Sequence, residues 1–469
     1  MKRLLSLVLG ASAIFAGCSH KATAPESASA QGAAHAPWSA NAVIYEVNTR
    51  QYTDSGTFSE FARHIPRLAE LGVDILWFMP IHPISELNRK GELGSYYAVA
   101  DYKGVNPEFG NLDDFRAVVD SAHAAGMKVI IDWVPNHTGC DNPWVTEHPE
   151  YYRLDDDDGQ MYGPFDWTDV YQLDYSKPEL RLAMIDAMQY WIREAGIDGF
   201  RCDVAGMVPV DFWNAARDSI QSAAGERPVF MLAEATEPEL TEHAFDMAYN
   251  WPMKDLFSEI AATSGQYTFA KEGEQPRTFP VKTAAAIDSL INLQSTQYPA
   301  DAFLMNMTSN HDLNSWEGTE FERLGIYAPA FAALTYVLPG MPLIYTGQET
   351  AMDRALEFFV KDTPPQWEPR HPVFDFYKKL NALRHSRPEL ESGVAGGSVE
   401  TWSDGGMFAI RRQKGDSATC AVVNLGTDTA AVELPDFMPA GTVDVFTGEP
   451  ASIMTSFAPG QFQVLTSNK

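Results

Sequence analysis

Eight short apolar runs, set apart by helical patterns and loops, place the strongest limit on what this chain can fold into. They lie at 43–47, 75–78, 128–132, 200–204, 229–233, 244–247, 305–308 and 343–345. Apolar residues recur at helical spacing over 58–71, 112–125 and 180–195, and Gly72, Gly126 and Gly196 close those three segments. A strand buried on both faces reads as a continuous apolar stretch, and strands that alternate with helices pair in parallel. Eight such units favour an α/β fold closed into a (β/α)8 TIM barrel. A doubly wound sheet is the competing arrangement, but no Gly-rich dinucleotide turn follows the first run.

The pattern changes twice along the chain. Between the third run and its helix lies a long irregular stretch, about 137–178, read as a small lobe inserted into the barrel. It carries Asp155-Asp156-Asp157-Asp158-Gly159, which lacks the alternating spacing of a calcium loop and reads as a solvated acidic turn. From 391 to 469 short alternating strands at 408–410, 419–423, 442–446 and 462–465 predict a C-terminal antiparallel β domain. The catalytic-size barrel domain then spans 38–390.

The N-terminus is read as an address. Lys2 and Arg3 precede an apolar stretch at 4–15, too short to span a bilayer comfortably. Phe15-Ala16-Gly17-Cys18 resembles a bacterial lipobox, with Phe in place of Leu. That resemblance implies a signal peptide at 1–17, cleavage before Cys18, and lipidation of its thiol. Residues 18–37, rich in Ala and Ser, would be a flexible tether. Ser19 in place of Asp leans towards an outer membrane. The expected location is therefore export, with a lipid anchor holding the domain to a membrane.

The formal charge of −29 argues against nucleic acid as a partner, since phosphates attract Lys and Arg. Cys140, Cys202 and Cys420 form an odd set without metal spacing. Cys202 adjoins Asp203, but neighbours on a strand face opposite ways, so its thiol should point away from any pocket Asp203 faces.

Four of the apolar runs end in acidic strings. These are Asp132-Trp133-Val134-Pro135-Asn136-His137, Gly199-Phe200-Arg201-Cys202-Asp203, Met231-Leu232-Ala233-Glu234 and Ser309-Asn310-His311-Asp312. In a barrel, groups at the C-terminal strand ends converge on one pocket. Acetal chemistry at a sugar needs carboxylates held that way.

In this order the four strings resemble the conserved regions of the α-amylase family of glycoside hydrolases. Tyr97-Ala98-Val99-Ala100-Asp101-Tyr102 and the segment Gly340-Met341-Pro342-Leu343-Ile344-Tyr345 resemble two further family segments. The resemblance implies Asp203 as nucleophile, Glu234 as general acid and base, and Asp312 as stabiliser of an oxocarbenium-like state. A retaining pair would sit about 5–5.5 Å apart. Arg201 would favour the ionised form of Asp203. His137 and His311 would bind sugar hydroxyls, and Tyr97 would stack on the reacting ring. Asn136 and Asp174 match two calcium-ligand positions, which makes calcium a candidate cofactor. Starch-type members carry Lys-His where this chain has Gly206 and Met207. Asp203-Val204-Ala205 and Asp174-Tyr175-Ser176 look closer to the neopullulanase, cyclomaltodextrinase and oligoglucosidase side. The expected activity is cleavage of internal α-1,4-glucosidic bonds in starch fragments or maltodextrins. The alternatives are a 4-α-glucanotransferase on the same α-glucan substrates and a non-catalytic glucan-binding lipoprotein. The oligomeric state is not legible; no long N-terminal β domain of the kind that pairs many neopullulanases is seen.

Overall fold

A computed structural model describes residues 35–467 except 272, 274, 276, 434–436 and 440. Its centre is a closed barrel of eight strands: β1 Ile44–Val47, β2 Ile75–Phe78, β3 Lys128–Trp133, β4 Gly199–Cys202, β5 Phe230–Ala233, β6 Met247–Tyr249, β7 Phe303–Asn306 and β8 Met341–Tyr345. Neighbours follow chain order, every pairing is parallel, and β8 closes on β1.

Several boundaries differ from the sequence reading, β7 among them, which runs Phe303–Asn306 rather than 305–308. The helix expected over 58–71 is two helices, Phe58–Ala62 and Ile65–Leu71. Pro66 lacks an N–H and fits only in a first helical turn, so the segment restarts there. β4 stops before Val204, which turns into the left-handed region at φ 36°. β6 starts at Met247 rather than Ala244, because the Asp246 carboxylate takes the Met231 amide at 2.7 Å below the ladder.

The period-two alternation of each strand divides the core into two. Outward residues such as Tyr45, Ile131, Phe200 and Cys202 pack under the helices. Inward residues Ile44, Ile75, Ile130, Phe230, Leu232, Met305 and Leu343 fill the barrel. Further along the strands, towards their C-terminal ends, the inward positions become Glu46, Asp132, Arg201, Asp203 and Glu234. At the opposite end His35 stacks on Phe303 with ring centres 4.6 Å apart, and Trp38 lies on Phe230 at 5.6 Å. The described chain therefore joins the barrel at its N-terminal end, away from the carboxylates.

The inserted lobe is built on an antiparallel pair, His137–Gly139 with Val170–Gln172. The acidic run Asp155–Asp158 is exposed at its edge. The C-terminal domain is a five-stranded antiparallel sheet in the order Ser398–Asp404, Met407–Lys414, Ser417–Asn424, Phe462–Ser467, Thr442–Asp444. Its first strand was not expected: it is a half-exposed edge without an apolar run. Cys140, Cys202 and Cys420 are free thiols, and Cys202 faces outward as its strand position requires. Cys18 lies outside the described residues. Among those residues no helix is long and apolar enough to cross a membrane.

Candidate active site

Arg201 is the hub of the polar layer. It points into the barrel from β4 and is fully buried. Its Nη1 donates to Asp132 Oδ1 at 2.9 Å and Asp203 Oδ1 at 3.0 Å, and its Nε to the Tyr249 hydroxyl at 3.1 Å. Nη2 lies 2.9 Å from Glu234 Oε2, an ion pair in which the N–H does not point at the oxygen. That oxygen accepts instead from the Val204 amide at 2.9 Å. The left-handed turn at Val204 therefore has a local purpose. It aims a backbone donor at the neighbouring carboxylate just after Asp203. One planar guanidinium serves three carboxylates from β3 and from the ends of β4 and β5, a geometry a lysine ammonium could not reproduce.

The second half of the layer is a hydrogen-bonded chain. His311 Nδ1 meets Glu46 Oε1 at 2.5 Å, and His311 Nε2 meets the Tyr97 hydroxyl at 2.7 Å. Tyr97 donates to Asp132 Oδ2 at 3.1 Å, where Trp77 Nε1 also donates at 3.2 Å. Asp312 Oδ1 is 3.4 Å from His311 Nε2. Burial works against charge on His311, but Asp312 and Glu46 outweigh it and hold the imidazolium up to about 9. His137 has no such partner; burial pushes it down to about 3 and keeps it neutral.

The acids respond the other way. Burial pushes Asp203 well above the usual carboxylate range; Glu234 and Asp132 add to this, and Arg201 opposes it. Burial lifts Asp132 to about 6 against the pull of Arg201 and His311. The expectation that Arg201 keeps Asp203 ionised weighed one cation and left out burial and two neighbouring carboxylates. Asp203 and Asp132, both buried around one guanidinium, retain a proton more readily than isolated carboxylates.

Above this layer opens a cavity of about 510 Å3. Asp203, Glu234, Asp312, Tyr97, His137 and His311 all line it, so the six expected groups that should touch a ligand come together. Arg201 sits beneath them in the floor. Trp167 from the lobe and Trp316, Phe358 and Phe359 from the loops after β7 and β8 supply apolar walls. The sequence reading missed these four rings and Glu46. The rings lie in loops without periodicity, and Glu46 sits inside an apolar strand. Asp132 was noticed as a strand-end acid but given no task.

Asn136 and Asp174 do not form a convincing calcium site. The Asp174 carboxylate accepts from the Ser176 amide at 3.0 Å and faces the Lys177 ammonium at 3.4 Å. The Asn136 Nδ2 lies 3.4 Å from His137 Nδ1, and the Asn136 backbone carbonyl accepts from the Leu173 amide. A hard dication wants several free oxygens at one point; here the carboxylate is already neutralised by a cation.

Comparison with known proteins agrees with this geometry. Residues 43–158 and 148–364 match the family described as "Alpha amylase, catalytic domain". A solved α-amylase from Lactobacillus plantarum is 32% identical, with a TM-score of 0.78 over 91% of this chain and 99% of that one. Neopullulanase 2 of Thermoactinomyces vulgaris is 27% identical over 82% of this chain and 65% of its own length. An α-1,4-glucan:maltose-1-phosphate maltosyltransferase of Cereibacter sphaeroides is 31% identical over 48% of this chain and 36% of its own. The chain spans about a third to two thirds of the length of the curated relatives it matches. With the barrel, the family match and the acidic layer in agreement, the chain belongs to the α-amylase family of glycoside hydrolases.

Proposed function

We propose that this chain hydrolyses α-1,4-glucosidic bonds of maltodextrins with retention of configuration. The observation that carries the reading is the single Arg201 guanidinium holding Asp203 and Glu234 at the floor of an aromatic-walled cavity. Among the described residues, Asp203 Oδ2 and Glu234 Oε1 accept no hydrogen bond, which leaves one free oxygen on each acid. Asp203 is the nucleophile: its carboxylate forms the bond to the anomeric carbon as the bond to the leaving oxygen breaks. Glu234 gives that oxygen its proton, then takes one from the water that releases the sugar. The aligned bond from Arg201 to Asp203 opposes the burial and neighbouring carboxylates that raise that acid; turnover requires Asp203 ionised and Glu234 carrying the proton when substrate arrives. Asp312 stabilises the positive charge that develops on the ring. Tyr97 and His311 orient the ring from one side and His137 from the other.

Asp203→Asn is expected to abolish turnover of maltoheptaose while leaving the melting temperature near that of the parent. Retained activity in this variant overturns the assignment. The second reading is glycosyl transfer, favoured by the maltosyltransferase among the relatives. It uses the same covalent intermediate and differs in the acceptor. Products longer than maltoheptaose in a time course would mark it. A non-catalytic glucan-binding role predicts no products at all.

The lipid anchor at Cys18 belongs to this proposal as well: an exported hydrolase held at a membrane surface. Growth with a labelled fatty acid should label the full chain and not Cys18→Ala. Absence of label ends the idea. No step of the reaction is routed through calcium.

A further inference from the structure

Among the described residues, the loops around the cavity are tied to one another on one side and are short on the other. The loop after β2 is fastened to the lobe, where Asp141 Oδ2 accepts from the Glu86 and Leu87 amides at 2.8 and 3.0 Å. Lys90 adds an ion pair to Asp169 at 3.0 Å. The far end of the same loop is fastened to the loop after β8, with the Leu93 amide donating to the Phe359 carbonyl at 2.8 Å. Buried Arg50, following β1, donates to the carbonyls of Leu93, Gly94 and Phe358 and locks that corner. The β8 loop is in turn bound to the β7 loop, where Asn314 donates to the Arg354 carbonyl and accepts from the Leu356 amide. A continuous wall thus runs from the lobe through the β2 and β8 loops to the β7 loop. Lys90, Asp169, Phe359 and Trp316 present its inner face to the cavity.

Among the described residues the opposite side has no counterpart. β6 passes into the helix Trp251–Thr263 with only Asn250 between them. After β4 and β5 the rim is formed by exposed Gly206, Met207, Thr236 and Glu237. Glu234 stands on this open side. A general acid protonates the oxygen that leaves, so the departing part of a sugar chain lies on the side of Glu234. Asp203 ends β4, between Glu234 at the end of β5 and the lobe that follows β3, so the part bonded to it extends towards the lobe and the wall. For a glucan linked through its anomeric carbons, the part that stays on the nucleophile ends in the non-reducing terminus. A cavity of about 510 Å3 is in the range that holds one small molecule.

We propose that this wall confines cleavage to a short, fixed distance from the non-reducing end of the glucan, in place of the internal cutting expected from the sequence. The proposal rests on the hydrolase reading above and specifies which bond is cut. The chain beyond Glu234 is unrestricted, so long substrates enter by their ends.

The test compares maltoheptaose with maltoheptaose whose non-reducing glucose carries a bulky ketal across O4 and O6. The expected result is a kcat/KM at least about tenfold lower for the blocked sugar. The free sugar should shorten by one constant increment. Equal kcat/KM for the two sugars, or an immediate spread of all product lengths from the free one, overturns the wall proposal while leaving the hydrolase reading intact. If neither sugar is cut, the hydrolase reading fails, and the affinities of the parent protein for the two sugars then decide the wall. A tenfold preference for the free end supports it and equal affinity overturns it.

Discussion

His311 and Glu46 face each other across the barrel floor, Nδ1 to Oε1 at 2.5 Å, although 265 residues separate them in the chain. The imidazolium is held up to about 9 despite burial, because Asp312 and Glu46 favour the charge. In the unfolded chain it would titrate near 6.5. A raised folded value means the stabilisation is complete below about pH 6.5 and is lost as pH rises through about 9. The expected outcome is a melting temperature that declines over that interval, with at most about 3.5 kcal/mol at stake at about 1.4 kcal/mol per unit. His311→Asn should flatten the decline; a parent protein equally stable at pH 6.5 and 9.5 contradicts the pairing.

Arg201→Lys keeps one positive charge and removes the fork. A single ammonium cannot satisfy Asp132, Asp203 and Glu234 together, so buried acids are left without a partner. Loss of stability of about 3–5 kcal/mol is expected, read by denaturant unfolding. Activity should fall with it, and the acid limb of any remaining pH profile should move upward, because fewer aligned N–H donors stabilise the ionised acids.

Gly199 opens β4 where no side chain fits. A Cβ there would lie 1.8 Å from the Phe230 carbonyl oxygen, and backbone on a paired strand cannot move aside. Gly199→Ala should cost at least about 3 kcal/mol or prevent folding. Gly126→Ala provides the contrast. Its Cβ would meet nothing within 4 Å, so only the positive φ of 85° is penalised, at about 1–2 kcal/mol. Similar losses in the two variants would show that the close approach of β4 and β5 is wrong.

Chelation should change little. Asp174 is committed to Lys177 and Ser176, so removal of calcium is expected to leave both melting temperature and activity unchanged. A fall in melting temperature on chelation, reversed by added calcium, would mean that the lobe rearranges around an ion. Asp174→Asn should then lose that response.

The barrel was legible because parallel strands buried on both faces leave continuous apolar runs, and the acids that close those runs stand out against them. What was misplaced has local causes. The start of β6 depends on a side-chain carboxylate capturing a backbone amide, which no periodicity records. The edge strand Ser398–Asp404 leaves one side to solvent and carries no apolar signal. The candidate site divides the same way. Asp203, Glu234, Asp312, His137 and His311 sit at motif positions and could be named from them. Glu46 could not, since a lone acid inside Ile44-Tyr45-Glu46-Val47 becomes meaningful only when β7 brings His311 opposite. The wall was invisible, because Asp141, Lys90 and Phe359 belong to three loops whose pairing depends on the closed order of the strands.

His35 and Trp38 rest on Phe303 and Phe230, residues that open their strands, so the polypeptide arrives from behind the barrel. A bead, a fusion partner or an affinity handle joined ahead of His35 meets the molecule on its back. Immobilisation through that end leaves the mouth unshadowed, whereas coupling through the lobe would place the support beside the incoming polymer. Under the proposed action on long glucans, the choice of attachment point is then a choice about substrate access.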